Sequence, residues 1–267
     1  MYSFRKSPVQ ATTAGLWFDL SMSPGNPVPQ YYAASPMVSI LMKQSTDGGF
    51  YHGATTGTTK YLKSFLSMSN SATGLPMPMI LCDYLMYYPF VDEGTTDEQF
   101  MTNSATLSRY ADGKGVQVMA VSVAGRTGGQ TFRFTYTNSD GVAGRISQTV
   151  IQNTATAIGT IVTSAVTPAA ASCGPFIGLQ RGDSGVRSIE SVQMISGADV
   201  GLFTLVLVKP LITTQLLEQT APTEESLFIE KGSVPEIKDD AYLNLIAMPN
   251  GSLSGVSLHG IITTNFT

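Results

Sequence analysis

The chain has 267 residues, a formal net charge of −4 and a charged fraction of only 13%, beside a hydrophobic fraction of 43%. Ordinary soluble domains carry about 25% charged residues. A net negative chain without a cluster of Lys and Arg cannot neutralise phosphates, which argues against direct nucleic-acid binding. No stretch approaches 18 uninterrupted apolar residues, so no membrane contact through a spanning helix is expected.

The low fraction of charged residues also predicts how much of the protein surface contacts other proteins. Free monomers usually rely on a charged surface to stay soluble, whereas the centres of protein–protein interfaces are depleted in charge. We therefore expect much of the surface to lie against other protein, including copies of the same chain in a homo-oligomer. A secreted monomer with a neutral Ser/Thr-rich surface is the alternative.

The N-terminus and the cysteines indicate the compartment. The cations Arg5 and Lys6 are not followed by an apolar run, so no signal peptide is expected and synthesis in a cytoplasm follows. Cys82 and Cys173 lie far apart among apolar neighbours, and in a reducing compartment two buried free thiols are favoured over a disulfide.

Residues 1–35 contain many prolines and few apolar runs. We predict an extended N-terminal arm that docks on a neighbouring molecule or on its own body, and a tail packed over its own domain is the alternative. Four aromatic residues of this segment are the candidate interaction residues: Trp17, Phe18, Tyr31 and Tyr32.

Residues 36–267 are predicted to form one β-sandwich body, which begins with three strands. Residues 36–42 form the first strand, closed by a turn at 47–49, and residues 59–69 form the second. Residues 79–90 are a strongly apolar run of strand length. Asp83 lies alone inside that run, and we predict that it accepts a hydrogen bond from backbone or from a tyrosine, because an unpaired buried carboxylate is costly.

Two adjacent carboxylate pairs follow the apolar run, Asp92-Glu93 and Asp97-Glu98. They could recruit a cation, but the ordered glycine and the terminal glutamate of a calcium loop are missing. A solvated loop is therefore predicted here, and no metal site.

Residues 115–150 hold three strand-like runs separated by two glycine-containing breaks. The middle run alternates the aromatic residues Phe132, Phe134 and Tyr136 with polar ones, which is typical of a strand with one buried face. The second break, residues 138–141, contains an Asp-Gly pair suited to a turn. A three-stranded antiparallel meander is predicted.

The rest of the chain continues the β pattern. Residues 151–171 carry no charge and are predicted to be buried. Further strands are predicted over residues 188–195, 201–212, 226–230, 242–248 and 253–265, the last two joined by a hairpin at Asn250-Gly251. Residues 214–231 are predicted to be an exposed connection. The predicted fold class is therefore all-β, an antiparallel, jelly-roll-like β-sandwich with an N-terminal arm.

The short motifs in the sequence do not indicate an enzyme. Residues 182–185 (GDSG) resemble the surroundings of the nucleophile in chymotrypsin-like serine proteases, but Val186 stands where those enzymes have glycine. His52 and His259, the two possible bases, lie in unrelated contexts, so a loop is predicted. Residues 181–183 (RGD) are a coincidence in a chain made in a cytoplasm. We predict no catalytic residue, no cofactor and no enzymatic activity.

Several stretches over most of the chain carry a resemblance: residues 29–36 (PQYYAASP), 60–62 (KYL), 81–89 (LCDYLMYYP), 136–138 (YTN), 140–145 (DGVAGR), 174–176 (GPF) and 183–188 (DSGVRS). They resemble stretches in structural proteins of tailed bacteriophages. The resemblance implies a virion component without enzymatic activity, made in the host cytoplasm.

Among such components, a head cement or decoration protein on the capsid exterior is our first choice. Its partners would be the major capsid protein, whose neighbouring subunits it would clamp, and copies of itself. The chain lacks the long helix expected of a major capsid protein. The alternative is a tail- or fibre-associated module that binds a host surface glycan, with Trp17, Tyr31, Tyr32, Tyr87 and Tyr88 as stacking platforms.

Overall fold

The structure, a computed structural model, describes residues 1–33, 37–45, 49–54, 57–164, 174–227 and 234–267. Its strands in the first half of the chain are β1 (Tyr2–Lys6), β2 (Phe18–Asp19), β3 (Gly25–Asn26), β4 (Ile40–Leu41), β5 (Lys60–Ser69), β6 (Met77–Asp92), β7 (Gln99–Phe100), β8 (Gln117–Ser122) and β9 (Thr131–Asn138). The second half contains β10 (Arg145–Ile146), β11 (Val150–Ile151), β12 (Val186–Met194), β13 (Leu202–Leu216), β14 (Thr223–Ser226), β15 (Glu236–Ile237), β16 (Tyr242–Ala247) and β17 (Leu258–Phe266). One 3₁₀ turn covers Leu20–Met22.

The all-β, antiparallel fold class is confirmed, and the chain divides into two compact units rather than one body. The first unit comprises Met1–Tyr31, Lys43–Asp83 and Leu211–Thr267, and the second comprises Tyr32–Met42 and Tyr84–Pro210. The long strands β6 and β13 each contribute one part to the first unit and one to the second. The finer jelly-roll topology stays a prediction.

The first unit is built from two sheets around its own core. One sheet has the order β14-β5-β17-β1-β3, with β15 also paired to β5, and the other has the order β2-β16-β6-β13. Both supply the same core, with Phe4, Phe65 and Ile262 from one sheet and Met79 and Leu245 from the other. This is the packing of a β-sandwich.

The second unit has a separate core. One sheet has the order β10-β9-β12-β7, with β11 also paired to β9, and the other has the order β6-β13-β8, with β4 beside β6. Phe132, Phe134 and Tyr136 of β9 face the core, as the alternation predicted, and meet Val118 and Phe203 of the opposite sheet. Period-2 alternation therefore indicated the buried face of this strand correctly.

Residues 1–31 belong to the first unit, which agrees with the alternative of a segment packed on its own domain, and docking on a neighbouring molecule stays a prediction. β1 lies inside its sheet between β17 and β3, with Phe4 opposite Gly260. A Cβ atom at Gly260 would lie 2.3 Å from the Phe4 ring, so the missing side chain makes room for it. The segment is short of apolar runs, but single apolar residues such as Leu20 reach the core.

Two predicted strand pairings are wrong, although their strands exist. β8 pairs with β13, whereas β9 pairs with β12, so β8 and β9 lie in different sheets and the three-stranded meander does not form. The second half of the predicted meander is confirmed, because β9 pairs antiparallel with β10 and β11, which follow the predicted turn at residues 138–141. β16 and β17 likewise belong to different sheets and are not a hairpin. The residues between β8 and β9 are numerous enough to cross from one sheet to the other, and side-chain alternation does not specify a strand's partner.

Several local predictions are confirmed. Asp83 Oδ1 accepts a hydrogen bond of 2.9 Å from the backbone N–H of Tyr242, and Cys82 is a buried free thiol. Some predictions fall on residues that the structure does not describe. These are the predicted turn at residues 47–48, the thiol of Cys173, and the parts of predicted segments at residues 165–171 and 228–231. Within the predicted connection, Leu217–Pro222 is exposed, while β13 and β14 occupy its two sides.

Candidate functional site

An open cleft of about 310 Å³ lies on the first unit. The described residues of its lining include no Lys, Arg, His, Asp or Glu and are Tyr2, Ser3, Asn26, Pro27, Val28, Gln44, Ser45, Gly49, Phe50 and Tyr51. We call this the neutral cleft. Its volume is at the lower end of the range of small-molecule sites, and a concave surface with a few polar groups is typical of such sites.

The wall formed by Asn26, Pro27 and Val28 is fixed by a buried lysine. The Lys6 ammonium group is fully buried and donates to the carbonyl oxygens of Pro27 (2.9 Å), Ser23 (3.3 Å) and Ser21 (3.5 Å). Burial lowers the pKa of Lys6 to about 8, against the opposing effect of the negative charge of Asp19. Lys6 therefore holds this wall from beneath through three hydrogen bonds.

The lowered pKa of Lys6 predicts how the stability of the protein changes with pH. Its pKa in the folded chain lies below the ordinary value of 10.5, so between about pH 8 and 10.5 the unfolded chain binds the proton and the folded chain does not. The free energy of unfolding should therefore rise with pH in this window, by about 3 kcal/mol from this group. Urea unfolding of the wild type and of Lys6→Met across the window measures the difference, and parallel pH curves would contradict it.

The opposite wall, residues 49–51, is fixed by a second buried lysine and a histidine. Lys60 Nζ donates to His52 Nδ1 (2.7 Å), to the His52 carbonyl (3.1 Å) and to the Gly53 carbonyl (2.6 Å), which matches its three hydrogens with three acceptors. The ring hydrogen then lies on Nε2, which donates to the Ala241 carbonyl over 2.9 Å. Burial is the main cause of the lowered pKa of both His52 and Lys60.

His52 in turn is tied to the lining of the neutral cleft. Its carbonyl accepts from the Tyr2 hydroxyl (2.8 Å), and its N–H donates to the Gln44 side-chain oxygen (3.1 Å). Phe50 is buried and stacks on Phe4 at a centroid distance of 5.2 Å, while the neighbouring Tyr51 is 71% exposed. The result is an exposed aromatic ring beside lining residues that are held by hydrogen bonds.

A second surface of interest is the outer face of the β10-β9-β12-β7 sheet in the second unit. Ile146 pairs with Thr135, Thr135 with Ser191, and Ser191 with Phe100, so four residues form one line across the sheet. Paired residues project to the same face. We call them the outer row, and its two ends, Ile146 and Phe100, are 43% and 69% exposed.

The polar groups beside the outer row already have partners within the second unit. The Ser191 hydroxyl donates to Glu98 over 2.5 Å, and the Thr137 hydroxyl donates to Glu190 over 2.6 Å. Burying a hydroxyl costs little when its hydrogen bond persists, whereas burying an ionised carboxylate without a counter-charge is costly. A contact through the outer row would therefore have to leave the Glu98 and Glu190 carboxylates in water.

The four aromatic residues predicted for interaction do not form one surface. Phe18 is buried in the core of the first unit, and Tyr32 is buried and packs against Tyr87 with a centroid distance of 5.0 Å. Trp17 is half-buried, and Tyr31 is 74% exposed. Of the further platforms proposed for a glycan, Tyr87 and Tyr88 are buried as well. Tyr87 and Tyr88 lie in the apolar run of residues 79–90, and aromatic residues in such runs usually pack inside.

The GDSG segment is held in place by structural hydrogen bonds. Asp183 accepts from Arg145 through two N–H groups (3.0 and 3.1 Å), from the Tyr136 hydroxyl (2.5 Å) and from Asn138 (2.8 Å). Arg145 is the main cause of a pKa for Asp183 of about 2. Ser184 Oγ is bonded to Ser139 Oγ, and both histidines belong to the first unit, whereas Ser184 belongs to the second.

The predicted solvated acidic loop is wrong for one residue, because Glu93 is fully buried. Its Oε1 accepts from Arg126 Nε over 3.2 Å, and neither side chain is exposed. Burial raises the pKa of Glu93, and Arg126 opposes the rise. Arg126 also donates to Asn153 over 3.2 Å. No local pattern indicates this pair, since its members are 33 residues apart.

Searches for related proteins return no match among protein families, curated proteins or solved structures. Within the described part of the chain, no three or more His, Cys, Asp or Glu side chains are grouped so that they could hold a metal ion. No helix among the described residues is long and apolar enough to cross a membrane.

Proposed function

We propose that the protein is a non-enzymatic structural component of a virus particle, a head cement or decoration protein that clamps neighbouring major capsid subunits. The observation that carries the proposal is the outer row, four uncharged residues in one line across a sheet, of which Ser191 is buried, Thr135 is half-buried and the two apolar ends are exposed. The low charge of the chain and the resemblance to phage structural proteins support it further.

Each copy of the protein would make one small, uncharged contact through its outer row, and this contact would be repeated many times over the particle. Its two edge strands, β7 and β10, are two residues long, which discourages uncontrolled edge-to-edge pairing. Contact would therefore be made through side chains of the sheet face. Each contact is weak by itself, but repetition over a symmetric shell multiplies its effect.

We expect Phe100→Asp to lower occupancy on purified particles about tenfold or more, because a carboxylate would be buried at the contact. The matched control is Val200→Asp, since Val200 is also 69% exposed in the second unit but lies outside the outer row. Quantitative mass spectrometry of particles assembled with each variant measures the occupancy. Equal occupancy for Phe100→Asp and the wild type would refute the role of the outer row.

Removal of residues 1–35 is not a clean test of docking, although the predicted arm suggested it. That deletion takes away β1, which lies inside a sheet of the first unit, and so it should unfold the unit. Point substitutions on exposed side chains are the informative experiment.

The alternative, a tail- or fibre-associated module that binds a host glycan, differs in copy number. A head decoration protein is present in on the order of hundreds of copies, whereas tail rings hold about six or twelve. Counting copies per particle therefore separates the two functions, and absence from purified particles would remove both.

A further inference from the structure

We propose that the outer side of the β14-β5-β17-β1-β3 sheet in the first unit is the interface of a homodimer, on which a second copy of this chain packs face to face. Strand pairing places eight outward residues in two adjacent rows, which we call the dimer face. One row is Glu224, Leu66, Ile261 and Ser3, and the other is Met68, His259, Arg5 and Asn26. The dimer face and the outer row lie on different units, so this proposal does not depend on a position in a virus particle.

The dimer face points away from the core of the first unit. Phe65 of β5 and Ile262 of β17 are buried in that core. Consecutive side chains of a strand project to opposite sides of the sheet, so the neighbouring residues Leu66 and Ile261 project outward. Both are half-buried, and neither belongs to a core cluster.

The centre of the dimer face is apolar. Leu66 and Ile261 are paired across β5 and β17, and Met68 lies two residues further along β5. An antiparallel sheet with one side in water usually carries polar residues on that side. Contiguous apolar side chains on such a side are typical of a protein contact, which indicates that another protein surface packs on these three residues.

Two exposed charges of opposite sign flank this apolar centre. Glu224 lies on β14 at one side, and Arg5 lies on β1 at the other. Because β5 and β17 separate these strands, three strand spacings keep the two residues at least about 14 Å apart within one chain. Arg5 makes only a long hydrogen bond of 3.3 Å to the Ser257 hydroxyl. A partner for either charge on this face therefore has to come from another molecule.

Two-fold symmetry makes a second copy the partner that fits. Most homodimers have a two-fold axis, so the same patch occurs on both sides of the interface. An axis parallel to the strands and between β5 and β17 exchanges β5 with β17 and β14 with β1. It places Leu66 opposite Ile261 of the partner subunit, and Arg5 within one row, about 7 Å along the strand, of Glu224 of the partner subunit. An arginine side chain can span that distance, and by symmetry the contact forms twice.

The competing orientation is less favourable. A two-fold axis at right angles to the strands would leave Arg5 and Glu224 on opposite sides of the interface, with neither charge near its counter-charge. The charges of the dimer face therefore select the orientation in which the axis runs along the strands.

The size of the dimer face predicts a weak dimer. Its sheet spans four spacings of about 4.8 Å from β14 to β3, and β17 has nine residues of about 3.3 Å each. The face therefore covers at most about 600 Å² per copy, less than the roughly 800 Å² per partner of a standard interface. We expect dimers at micromolar or higher concentration, and we expect salt to weaken them because the two ion pairs lie at the rim.

Charge reversal in the full-length chain tests the interface. Sedimentation velocity over a series from low to high micromolar concentration compares the wild type, Arg5→Glu, Glu224→Arg and the double variant Arg5→Glu/Glu224→Arg. The matched control is Arg181→Glu, which makes the same charge change at an exposed residue of the second unit. Thermal unfolding of each variant checks that these exposed substitutions leave the fold intact.

We expect each single reversal to raise the dissociation constant of the dimer about tenfold, because it places like charges at both symmetric contacts. The double variant should return to within about threefold of the wild type, since opposite charges meet again between the copies, and Arg181→Glu should match the wild type. The proposal is overturned if the wild type is monomeric throughout the series, if a single reversal dimerises as well as the wild type, or if the double variant stays as weak as the single ones.

Phe100→Asp separates this proposal from the role of the outer row. It should dimerise like the wild type, because Phe100 belongs to the second unit. Loss of the dimer in Phe100→Asp would show that the copies meet through the outer row instead and would overturn the dimer face. A monomeric wild type would leave the role of the outer row standing.

Discussion

Gly25→Ala is expected to destabilise the first unit by more than about 4 kcal/mol. Gly25 has φ +138°, and a Cβ atom built on it would lie 1.9 Å from the backbone oxygen of Arg5. Arg5 and Lys6 pair with Asn26 and Gly25 between β1 and β3, so neither backbone can move aside without losing the ladder. Denaturant unfolding of the two proteins, followed by circular dichroism, measures the loss.

A matched glycine separates the steric clash from the cost of the backbone angle. Gly255 also lies in the first unit and has φ +77°, but nothing lies within 4 Å of a Cβ atom built there. Gly255→Ala should therefore cost only about 1 to 2 kcal/mol, the penalty for a left-handed residue with a side chain. Equal losses for the two substitutions would show that the contact with Arg5 is unimportant.

The clash at Gly25 also reaches the neutral cleft. The next three residues, Asn26, Pro27 and Val28, form one wall of the cleft, and Lys6 holds that wall through Pro27. If Gly25→Ala folds at low temperature, the backbone of these three residues should be displaced in that variant and unchanged in Gly255→Ala.

Arg126→Met is expected to destabilise the second unit by about 3 to 5 kcal/mol at neutral pH, because it leaves a buried carboxylate without its counter-charge. Arg126 Nε and Glu93 Oε1 are 3.2 Å apart, and both side chains are fully buried. The substitution also removes the hydrogen bond that Arg126 donates to Asn153. Chemical denaturation at pH 7, with the wild type as reference, gives the value.

The loss should depend on pH, with a sign that follows from Glu93. Burial raises the pKa of Glu93 in the wild type, and Arg126 opposes that rise, so the pKa should be still higher in Arg126→Met. Stability linked to a raised carboxyl pKa is present below the pKa of the unfolded chain, about 4.3, and is lost as pH rises through the folded pKa. The deficit of the variant should therefore be small near pH 4 and grow toward pH 7.

The double substitution Glu93→Gln/Arg126→Met tests the same account from the other side. It removes both charges, so most of the stability lost in Arg126→Met should return, and the stability of the double variant should no longer carry a pH dependence from residue 93. A double variant as unstable as Arg126→Met at pH 7 would mean that packing by the arginine, and not its charge, supports the second unit.

The sequence predicted the strands of this protein better than their partners. Alternation along β9 and the long, mostly apolar run of β6 are local patterns, and they indicated strands that the structure contains. The short strands β1 and β2 gave no such signal, because most of the residues around them are polar or proline. Their place in the first unit depends on single apolar contacts, such as the stacking of Phe4 on Phe65, whose ring centroids are 5.9 Å apart.

The candidate sites show the same division. The outer row combines β7, β9, β10 and β12, which lie between residues 99 and 194, and the neutral cleft combines short segments from residues 2 to 51. A sequence pattern reports the side of a strand on which a residue lies, but not which strand lies beside it. For that reason the exposed aromatic residue of the cleft, Tyr51, was not among the residues predicted for interaction.

Taken by itself, the sequence determined an all-β, antiparallel chain with a scarcity of charge, a buried thiol at Cys82 and a hydrogen-bonded carboxylate at Asp83. Each of these follows from the chemistry of a residue and its immediate neighbours along one strand. Only the tertiary structure decided the division into two units, the separation of β8 from β9 and of β16 from β17, and the burial of Lys6, Lys60 and Glu93. The physical reason is that burying a charge is tolerable only beside the right partners, and here those partners lie 7 to 33 residues away along the chain, in other segments.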